Sequence, residues 1–223
     1  MKTAVIFDID GCLTDTLPLI YDTMNATLAP VWGRRRTDAE IHQLFGPPEE
    51  VLVGREVGEE RFEERMRYFY DHYRRHHAMA SVYPGVRETL VALRDAGVGL
   101  GVLTNKGRTT ALITLRELGL EDFFPAVRTG SEGPAKPEPD GLLAVLGELG
   151  ADREASVMIG DSPTDVRAGK AAGCQTVGAV WGRPEMRGRL VPLAPTLVTD
   201  DPLDVLDLVG VPRPGKGSSS AGE

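Results

Sequence analysis

Short apolar runs alternate with segments of helical period along the chain from Pro84 onward. The runs are rich in Val, Leu, Ile and Gly and end at polar turn residues, a pattern typical of buried strands. They predict strands at 98–103, 126–128, 156–159, 176–180 and 196–198. The segments around them predict helices at 86–96, 109–118, 139–149, 163–172 and 202–209. Strands that alternate with helices favour a parallel sheet that is covered by helices on both faces.

The N-terminal third has a different pattern. Residues 3–7 form an apolar run that we assign to the same sheet, whereas the stretch from Pro18 to Ser81 is polar, helical and strand-poor. One stripe of helical spacing in this stretch consists of Phe62, Met66, Phe69 and Tyr73. We interpret the stripe as the core face of a helix. An insertion directly after the first strand would lie over the carboxyl edge of the sheet, where such folds bind their ligands.

These patterns predict an α/β fold with two parts. A Rossmann-like parallel-sheet core is expected from residues 1–16 and 82–211, with an inserted α-helical cap at 17–81. The length of 223 residues is sufficient for such a core with an insert. Residues 212–223 are rich in Pro, Gly and Ser and are expected to form a disordered tail.

Charge and composition exclude several classes of partner. The formal charge of −8 argues against a broad basic face that would bind nucleic acid. The sequence has no signal-peptide pattern and no apolar stretch of membrane-spanning length, so we expect a cytoplasmic protein with no membrane partner. Cys12 and Cys174 do not make a disulfide framework and are interpreted as packed free thiols. The sequence favours no particular oligomeric state.

Polar motifs stand at the strand ends of the predicted core. In chain order they are Asp8-Ile9-Asp10-Gly11, Thr104-Asn105-Lys106, Lys136-Pro137-Glu138-Pro139-Asp140 and Gly160-Asp161-Ser162-Pro163-Thr164-Asp165. Strand side chains alternate between faces, but a turn at Gly11 can bring both acids of the first motif toward one pocket. Two such acids indicate a nucleophile with an acid/base group, or a magnesium site. A strand that ends in ordinary turn residues is the alternative.

Together and in this order, the four motifs resemble those of the haloacid dehalogenase superfamily of phosphotransferases. The resemblance implies that Asp8 is a nucleophile that forms an aspartyl-phosphate. It implies that Asp10 first protonates the leaving oxygen and then activates water. Thr104, Asn105 and Lys136 are expected to bind the phosphate group of the substrate.

The resemblance also implies a Mg²⁺ site. Asp8, Asp161 and the main-chain carbonyl of Asp10 would supply oxygen ligands, and waters would complete the set. Asp165 is expected to order metal-bound water and also to cap the helix that begins at Pro163.

Several of these residues, and two other groups, have a structural interpretation as well. Thr104 could satisfy backbone groups at its strand end, and Lys136 could be a solvated loop cation. The joint occurrence of four motifs in order outweighs these alternatives.

His72 and His76 could bind a transition metal, and the run Arg34–Arg36 could bind an anionic substrate tail. We interpret both groups as solvated helix or loop surface.

Three features favour one group within the superfamily. Asp10 favours phosphoryl transfer over dehalogenation, because a displaced halide needs no acid. The stretch from Thr16 to Pro84 has no Lys, unlike the cap of phosphonoacetaldehyde hydrolases, and Ile20 stands where β-phosphoglucomutases carry a His. The rest resembles the phosphoglycolate-phosphatase-like group, with Gly46-Pro47-Pro48-Glu49-Glu50 similar to its specificity loop. Cys12 is a departure, since the family usually has Thr there.

We therefore expect a Mg²⁺-dependent phosphatase for a small phosphorylated substrate, with 2-phosphoglycolate first. A pyrophosphatase, a sugar-phosphate phosphatase and a β-phosphoglucomutase-type phosphotransferase are the alternatives within the superfamily. A non-catalytic phospho-acceptor or binding module, similar to receiver domains, is the alternative from another class. Repeated turnover of substrate distinguishes an enzyme from such a module.

Overall fold

The structure is a computed structural model that describes residues 2–214. Its strands are β1 (Ala4–Phe7), β2 (Thr14–Asp15), β3 (Ser81–Val82), β4 (Gly99–Leu103), β5 (Ala126–Arg128), β6 (Val157–Gly160), β7 (Gln175–Ala179) and β8 (Leu197–Thr199). Its helices are α1 (Leu17–Trp32), α2 (Asp38–His42), α3 (Glu49–Val57), α4 (Glu59–Arg75), α5 (Val86–Asp95), α6 (Arg108–Glu117), α7 (Asp140–Leu149), α8 (Pro163–Ala172), α9 (Arg187–Leu190) and α10 (Asp204–Leu208). Most of the predicted tail, 215–223, lies outside the described residues.

Six strands form one parallel sheet in the order β5-β4-β1-β6-β7-β8, which confirms the predicted α/β fold. β1 lies in the middle, where Phe7 pairs with Val102 of β4 and with Ile159 of β6. Because the three strands run in the same direction in this register, the residues that follow them emerge at one edge of the sheet. This edge therefore carries the first, second and fourth polar motifs side by side.

The central strand is buried on both faces, as its continuous apolar sequence requires. Val5 and Phe7 point into a hydrophobic cluster under α5, α6 and α10, whereas Ala4 and Ile6 point into a second cluster under α7 and α8. The alternation of side chains along β1 thus ties both helical layers to one strand. This packing fixes the position of the polar residues that begin at Asp8.

Helices α1 to α4, which we call the cap helices, pack around a hydrophobic core of their own. The predicted stripe on α4 is confirmed, because Met66, Phe69 and Tyr73 are buried there and Phe62 packs at the margin. Ile113 of α6 joins the same cluster, so the cap helices also rest on the sheet-bearing part of the chain.

The two connections to the cap helices pair as a short antiparallel ribbon that the sequence did not predict. Thr14 and Asp15 of β2 pair with Val82 and Ser81 of β3. Strands of two residues are too short to show an alternating pattern, which explains why they were missed.

The other predicted elements of the sheet-bearing part begin and end within two residues of the observed ones. The strand at 126–128 and the helix at 163–172 agree at both ends. The short helix α9 was not predicted, because four residues carry no periodic signal. Within residues 2–214, no helix combines the length and the apolar character needed to cross a membrane.

Glu49, the first residue of α3, joins the cap helices to the sheet-bearing part. Its Oε2 accepts a hydrogen bond from the Gly107 backbone N–H at 2.8 Å, and its Oε1 accepts one from the Thr110 hydroxyl. Burial raises the pKa of Glu49 to about 7, although the charge of Lys106 acts in the opposite direction. Glu49 thus holds the N-terminal end of α3 against the N-terminal end of α6.

The Glu49→Gln variant should gain stability relative to the wild type as the pH rises. The pKa of Glu49 rises from 4.5 to about 7 on folding, so in this window the folded protein holds a proton that the unfolded chain has released. The wild type therefore loses stability as the pH rises through the window, by on the order of 1–3 kcal/mol, and the Gln variant does not. Urea unfolding of both proteins at about pH 5 and about pH 8 measures the change.

Glu60→Gln is the matched control, since Glu60 is exposed on α4. Its stability difference from the wild type should stay constant over the same pH range. A constant or shrinking advantage of Glu49→Gln at high pH would contradict the raised pKa of Glu49.

Candidate active site

A cavity of about 570 Å³ lies between the carboxyl edge of the sheet and the cap helices. Its floor is formed by polar residues of the strand-end motifs, including Asp8, Asp10, Thr104, Asn105, Lys106, Lys136 and Asp161. Its roof is mostly apolar and includes Ile20, Met24, Phe45, Pro47, Leu52 and Phe69. The pocket is therefore polar and charged on one side and hydrophobic on the other, as is common for small-molecule sites.

Lys136 lies at the centre of the polar floor. Its Nζ is 3.0 Å from Asp8 Oδ1 and 2.6 Å from Asp165 Oδ1, and it donates a hydrogen bond to the Leu103 carbonyl at 3.0 Å. Burial alone would lower the pKa of Lys136, but the negative charges of Asp165 and Asp8 raise it above its usual range. The alternative of a solvated loop cation is wrong, since Lys136 is only 5% exposed.

Asp8 is held at the end of β1 with one oxygen toward Lys136. Asp8 Oδ1 also accepts a hydrogen bond from the Ile9 backbone N–H at 2.8 Å. Burial raises the pKa of Asp8 to about 6. The neighbouring acids Asp165 and Asp10 also raise this pKa, whereas the charge of Lys136 lowers it. A carboxylate in this position is partly desolvated yet close to a fixed cation, which suits a nucleophile.

Asp8, Asp161 and Asp165 form a buried acidic cluster. One carboxylate oxygen from each lies within 4.8 Å of the others. Burial, together with Asp165 and Asp8, raises the pKa of Asp161 to about 8. Such crowding of carboxylates favours a bound cation, because an opposite charge relieves their repulsion.

The backbone around the cluster is shaped to leave room for it. Gly11 has φ of +81°, and a Cβ at this position would collide with Asp161 Oδ2. The predicted turn at Gly11 is therefore present, and only glycine fits it. Next to Gly11, Arg183 Nη1 pairs with the same Asp161 Oδ2 at 2.9 Å.

Asp165 combines two functions in the structure. Its Oδ2 accepts hydrogen bonds from the Ser162 backbone N–H at 2.9 Å and from the Ser162 hydroxyl at 2.6 Å, which confirms its capping of α8. Its Oδ1 faces Lys136. Asp165 therefore lies in the acidic cluster itself, whereas the sequence led us to expect it behind the metal ligands.

The side chain of Asp10 points elsewhere than the acidic cluster. Both of its oxygens lie 3.1 Å from Lys106 Nζ, and Oδ1 accepts a hydrogen bond from the Thr16 hydroxyl at 2.5 Å. Asp10 was predicted to approach the metal through its main-chain carbonyl, which leaves the side chain available for this contact. Lys106 belongs to the second motif, but no function was predicted for it. The scarcity of Lys, with five in the chain, was the signal that could have singled it out.

Thr104 and Asn105 lie at the predicted edge, but they differ in what their side chains do. The Asn105 amide is bonded to the backbone of Lys136, accepting from its N–H at 2.8 Å and donating to its carbonyl at 3.2 Å. Asn105 thus positions the loop that carries Lys136. The Thr104 hydroxyl accepts a hydrogen bond from the Lys106 backbone N–H at 3.3 Å, so it also satisfies a backbone group.

The cations at the pocket come from the sheet-bearing part rather than from the arginine run of the cap. Arg167, Arg183 and Arg189 line the pocket. Arg34 pairs with Glu40 and Arg35 with Asp22 on the exposed surface, as the solvated interpretation of this run requires. Arg36 departs from it, because it is half-buried and its guanidinium lies 3.9 Å from the centroid of the Trp32 ring.

The two cysteines match their structural interpretation, but the solvated interpretation of the histidine pair holds only for His76, because the side chain of His72 is only 12% exposed. His72 is 2.8 Å from Asp22 and stacks on His76, and among residues 2–214 the only acid, His or Cys cluster suited to a metal is the one already described. Cys12 and Cys174 are free thiols. Cys12 is buried, and its backbone carbonyl accepts a hydrogen bond from the Trp181 indole N–H at 2.8 Å.

A known protein family and several known proteins are similar to this chain over most of its length. The pattern of the haloacid dehalogenase-like hydrolase family matches residues 5–179. A phosphoglycolate phosphatase of Rhodospirillum rubrum is 36% identical over 96% of this chain and 94% of its own length. A pyrophosphatase PpaX of Halalkalibacterium halodurans is 33% identical over 93% of this chain and 96% of its own.

Solved structures show the same architecture. The crystal structure of a predicted phosphoglycolate phosphatase from Haemophilus somnus superposes with a TM-score of 0.79 at 26% identity, covering 93% of this chain and 97% of that one. The family pattern and these relatives cover the sheet, the cap helices and all four motifs. The chain belongs to the haloacid dehalogenase-like hydrolases.

Proposed function

We propose that this protein is a Mg²⁺-dependent phosphatase that hydrolyses a small phosphorylated metabolite through an aspartyl-phosphate. The observation that carries the proposal is the position of Lys136, which lies between Asp8 and Asp165 at the floor of the pocket. A carboxylate attacks an anionic phosphate only where fixed positive charge offsets the repulsion. The relatives named phosphoglycolate phosphatase support a phosphoric monoester as the substrate.

Asp8 and Asp10 would divide the chemistry between them. An oxygen of Asp8 forms a bond to phosphorus while the bond to the leaving oxygen breaks, and the leaving oxygen keeps the electron pair and takes a proton from Asp10. In the second half, Asp10 takes a proton from a water as that water attacks phosphorus, and the carboxylate of Asp8 is released. Lys136 and the Thr104 hydroxyl would hold the phosphoryl oxygens.

The acidic cluster fits Mg²⁺, which takes oxygen ligands and retains several waters. Three buried carboxylates that approach within 4.8 Å, with the pKa of Asp161 raised to about 8, are a donor set that favours a divalent cation. Asp8 and Asp161 would hold the ion with the carbonyl of Asp10, and Asp165 would contact it or its waters. When bound, Mg²⁺ would neutralise charge on the transferring phosphoryl group.

The cap helices would control access to the pocket. The domain division that we propose, with 17–81 as the cap, places the β2–β3 ribbon at the only two chain connections between the parts. Motion about this ribbon would admit the substrate, and closure would exclude bulk water during transfer.

The metal proposal predicts a binding difference that is independent of turnover. Mg²⁺ should raise the thermal stability of the wild type, by about 2.7 kcal/mol when its concentration is a hundred times the Kd. The Asp161→Asn variant should lose most of this increase and also lose turnover. Differential scanning calorimetry with and without Mg²⁺ measures it, with Asp200→Asn as the exposed control. An equal stabilisation of Asp161→Asn and the wild type would contradict the site.

The substrate proposal predicts a preference for small molecules. With Mg²⁺ present, kcat/KM should be highest for 2-phosphoglycolate, with pyrophosphate and a sugar phosphate next, because the pocket of about 570 Å³ is roofed by cap residues. A phosphopeptide and a 5′-phosphorylated oligonucleotide should be at least about 100-fold poorer, a difference of about 2.7 kcal/mol in transition-state stabilisation.

Three outcomes of the same panel would count against parts of the proposal. Preference for pyrophosphate would favour the second candidate, which the 33% identical pyrophosphatase relative supports. Preference for the peptide or the oligonucleotide would rule out a small substrate. Phosphate release limited to a single turnover would indicate a phospho-acceptor module instead of an enzyme.

A further inference from the structure

Lys106 is a buried lysine that joins the acid Asp10 to the cap helices. Only 3% of its side chain is exposed, and its Nζ lies 3.1 Å from both oxygens of Asp10. The same ammonium lies 5.0 Å from the centroid of the Tyr73 ring on α4. Within residues 2–214, Asp10 is the one carboxylate at ion-pair distance from Lys106.

The backbone of Lys106 is also held by hydrogen bonds. Its N–H donates to the Thr104 hydroxyl at 3.3 Å, and its carbonyl accepts from the Gly130 N–H at 2.9 Å. The next residue, Gly107, donates its N–H to Glu49 of α3. Lys106 is therefore held between the first motif, the loop at Gly130 and two cap helices.

This arrangement restricts the carboxyl group of Asp10. Lys106 contacts both oxygens and Thr16 contacts one, so rotation of the group would break at least one charge-assisted hydrogen bond. An acid that delivers a proton must be within hydrogen-bond reach of the leaving oxygen, so its orientation limits the rate. Tyr73 and Glu49 stand beside Lys106, which makes that orientation depend on the docked cap helices.

We propose that Lys106 is the positioning residue for Asp10, holding its carboxyl group toward the leaving oxygen of the substrate while the cap helices are docked. The proposal rests on the proposed function. Lys106 would act on the proton transfer to the leaving oxygen, in which the bond from phosphorus to that oxygen breaks and Asp10 supplies the proton. It would not act on the bond that Asp8 forms to phosphorus. For substrates whose leaving group needs no proton, kcat/KM should therefore not depend on Lys106.

The test compares two small substrates with different leaving groups in the wild type and the Lys106→Met variant. The leaving group of 2-phosphoglycolate is the glycolate alkoxide, which needs a proton, whereas the leaving group of acetyl phosphate is acetate, a stable carboxylate. We expect kcat/KM for 2-phosphoglycolate to fall by about 100-fold or more, the size of a general acid contribution. We expect kcat/KM for acetyl phosphate to change less than about threefold, under 1 kcal/mol. Lys170→Met, on the exposed side of α8, is the matched control.

An equal fall for both substrates would overturn the proposal, because it would indicate a structural or phosphate-binding function for Lys106. An unchanged kcat/KM for both would overturn it as well. If the wild type releases phosphate from neither substrate, the proposed function fails, and this outcome is distinct from a failure of the Lys106 proposal.

The Lys106→Met variant leaves Asp10 buried without its partner and could fail to fold. A second comparison, made in variants that lack the charge of Asp10, avoids this. In the Asp10→Asn variant, residue 10 has no charge with which Lys106 could pair. For each of the two substrates, this single variant and the double variant Asp10→Asn/Lys106→Met should therefore have the same kcat/KM. A further fall in the double variant would show that Lys106 acts independently of Asp10, which contradicts a positioning function.

Discussion

The burial of several carboxylates at one edge of a parallel sheet is the constraint on which the rest of the site depends. Asp8, Asp161 and Asp165 lie within 4.8 Å of one another through one oxygen each. Buried carboxylates in such proximity repel one another and lose hydration, which the raised pKa values of Asp8 and Asp161 express. Lys136 and Arg183 supply fixed positive charge among them. The excess of negative charge favours a divalent cation, and such a cation together with Lys136 would offset the charge of an anionic substrate.

The sheet register explains how residues so distant in sequence meet. β1 is central and buried on both faces, and its two neighbours end beside it with Thr104 and Asp161. Lys136 reaches the edge from a loop, and Asn105 fixes the backbone of that loop by two hydrogen bonds. The geometry of the pocket floor is thus built by hydrophobic packing below the edge and by hydrogen bonds between loops above it.

The sequence was sufficient to predict the sheet and the buried stripe on α4, and it singled out the acids and the lysine that the structure brings to one pocket. Each of these has a strong local signal, such as an apolar run, a stripe on α4 or an acid at a strand end. The contacts of Lys106, Glu49 and Arg183 had no local signal of this kind, although the scarcity of Lys could have singled out Lys106. Their contacts depend on how the cap helices and the loop after β7 pack over the sheet, and this packing is not encoded in any short spacing. The β2–β3 ribbon was missed for a similar reason, because its strands have two residues each.

The central claim is that Asp8 forms a covalent bond to phosphorus during turnover. The most direct test is to quench the enzyme with acid during steady-state hydrolysis of 2-phosphoglycolate and to map the phosphorylated peptide by mass spectrometry. The account predicts an acid-stable, hydroxylamine-sensitive phosphoryl group on the peptide that contains Asp8, and its loss in the folded but inactive Asp8→Asn variant. A phosphoryl group on another residue, or near-native turnover of Asp8→Asn, would contradict it.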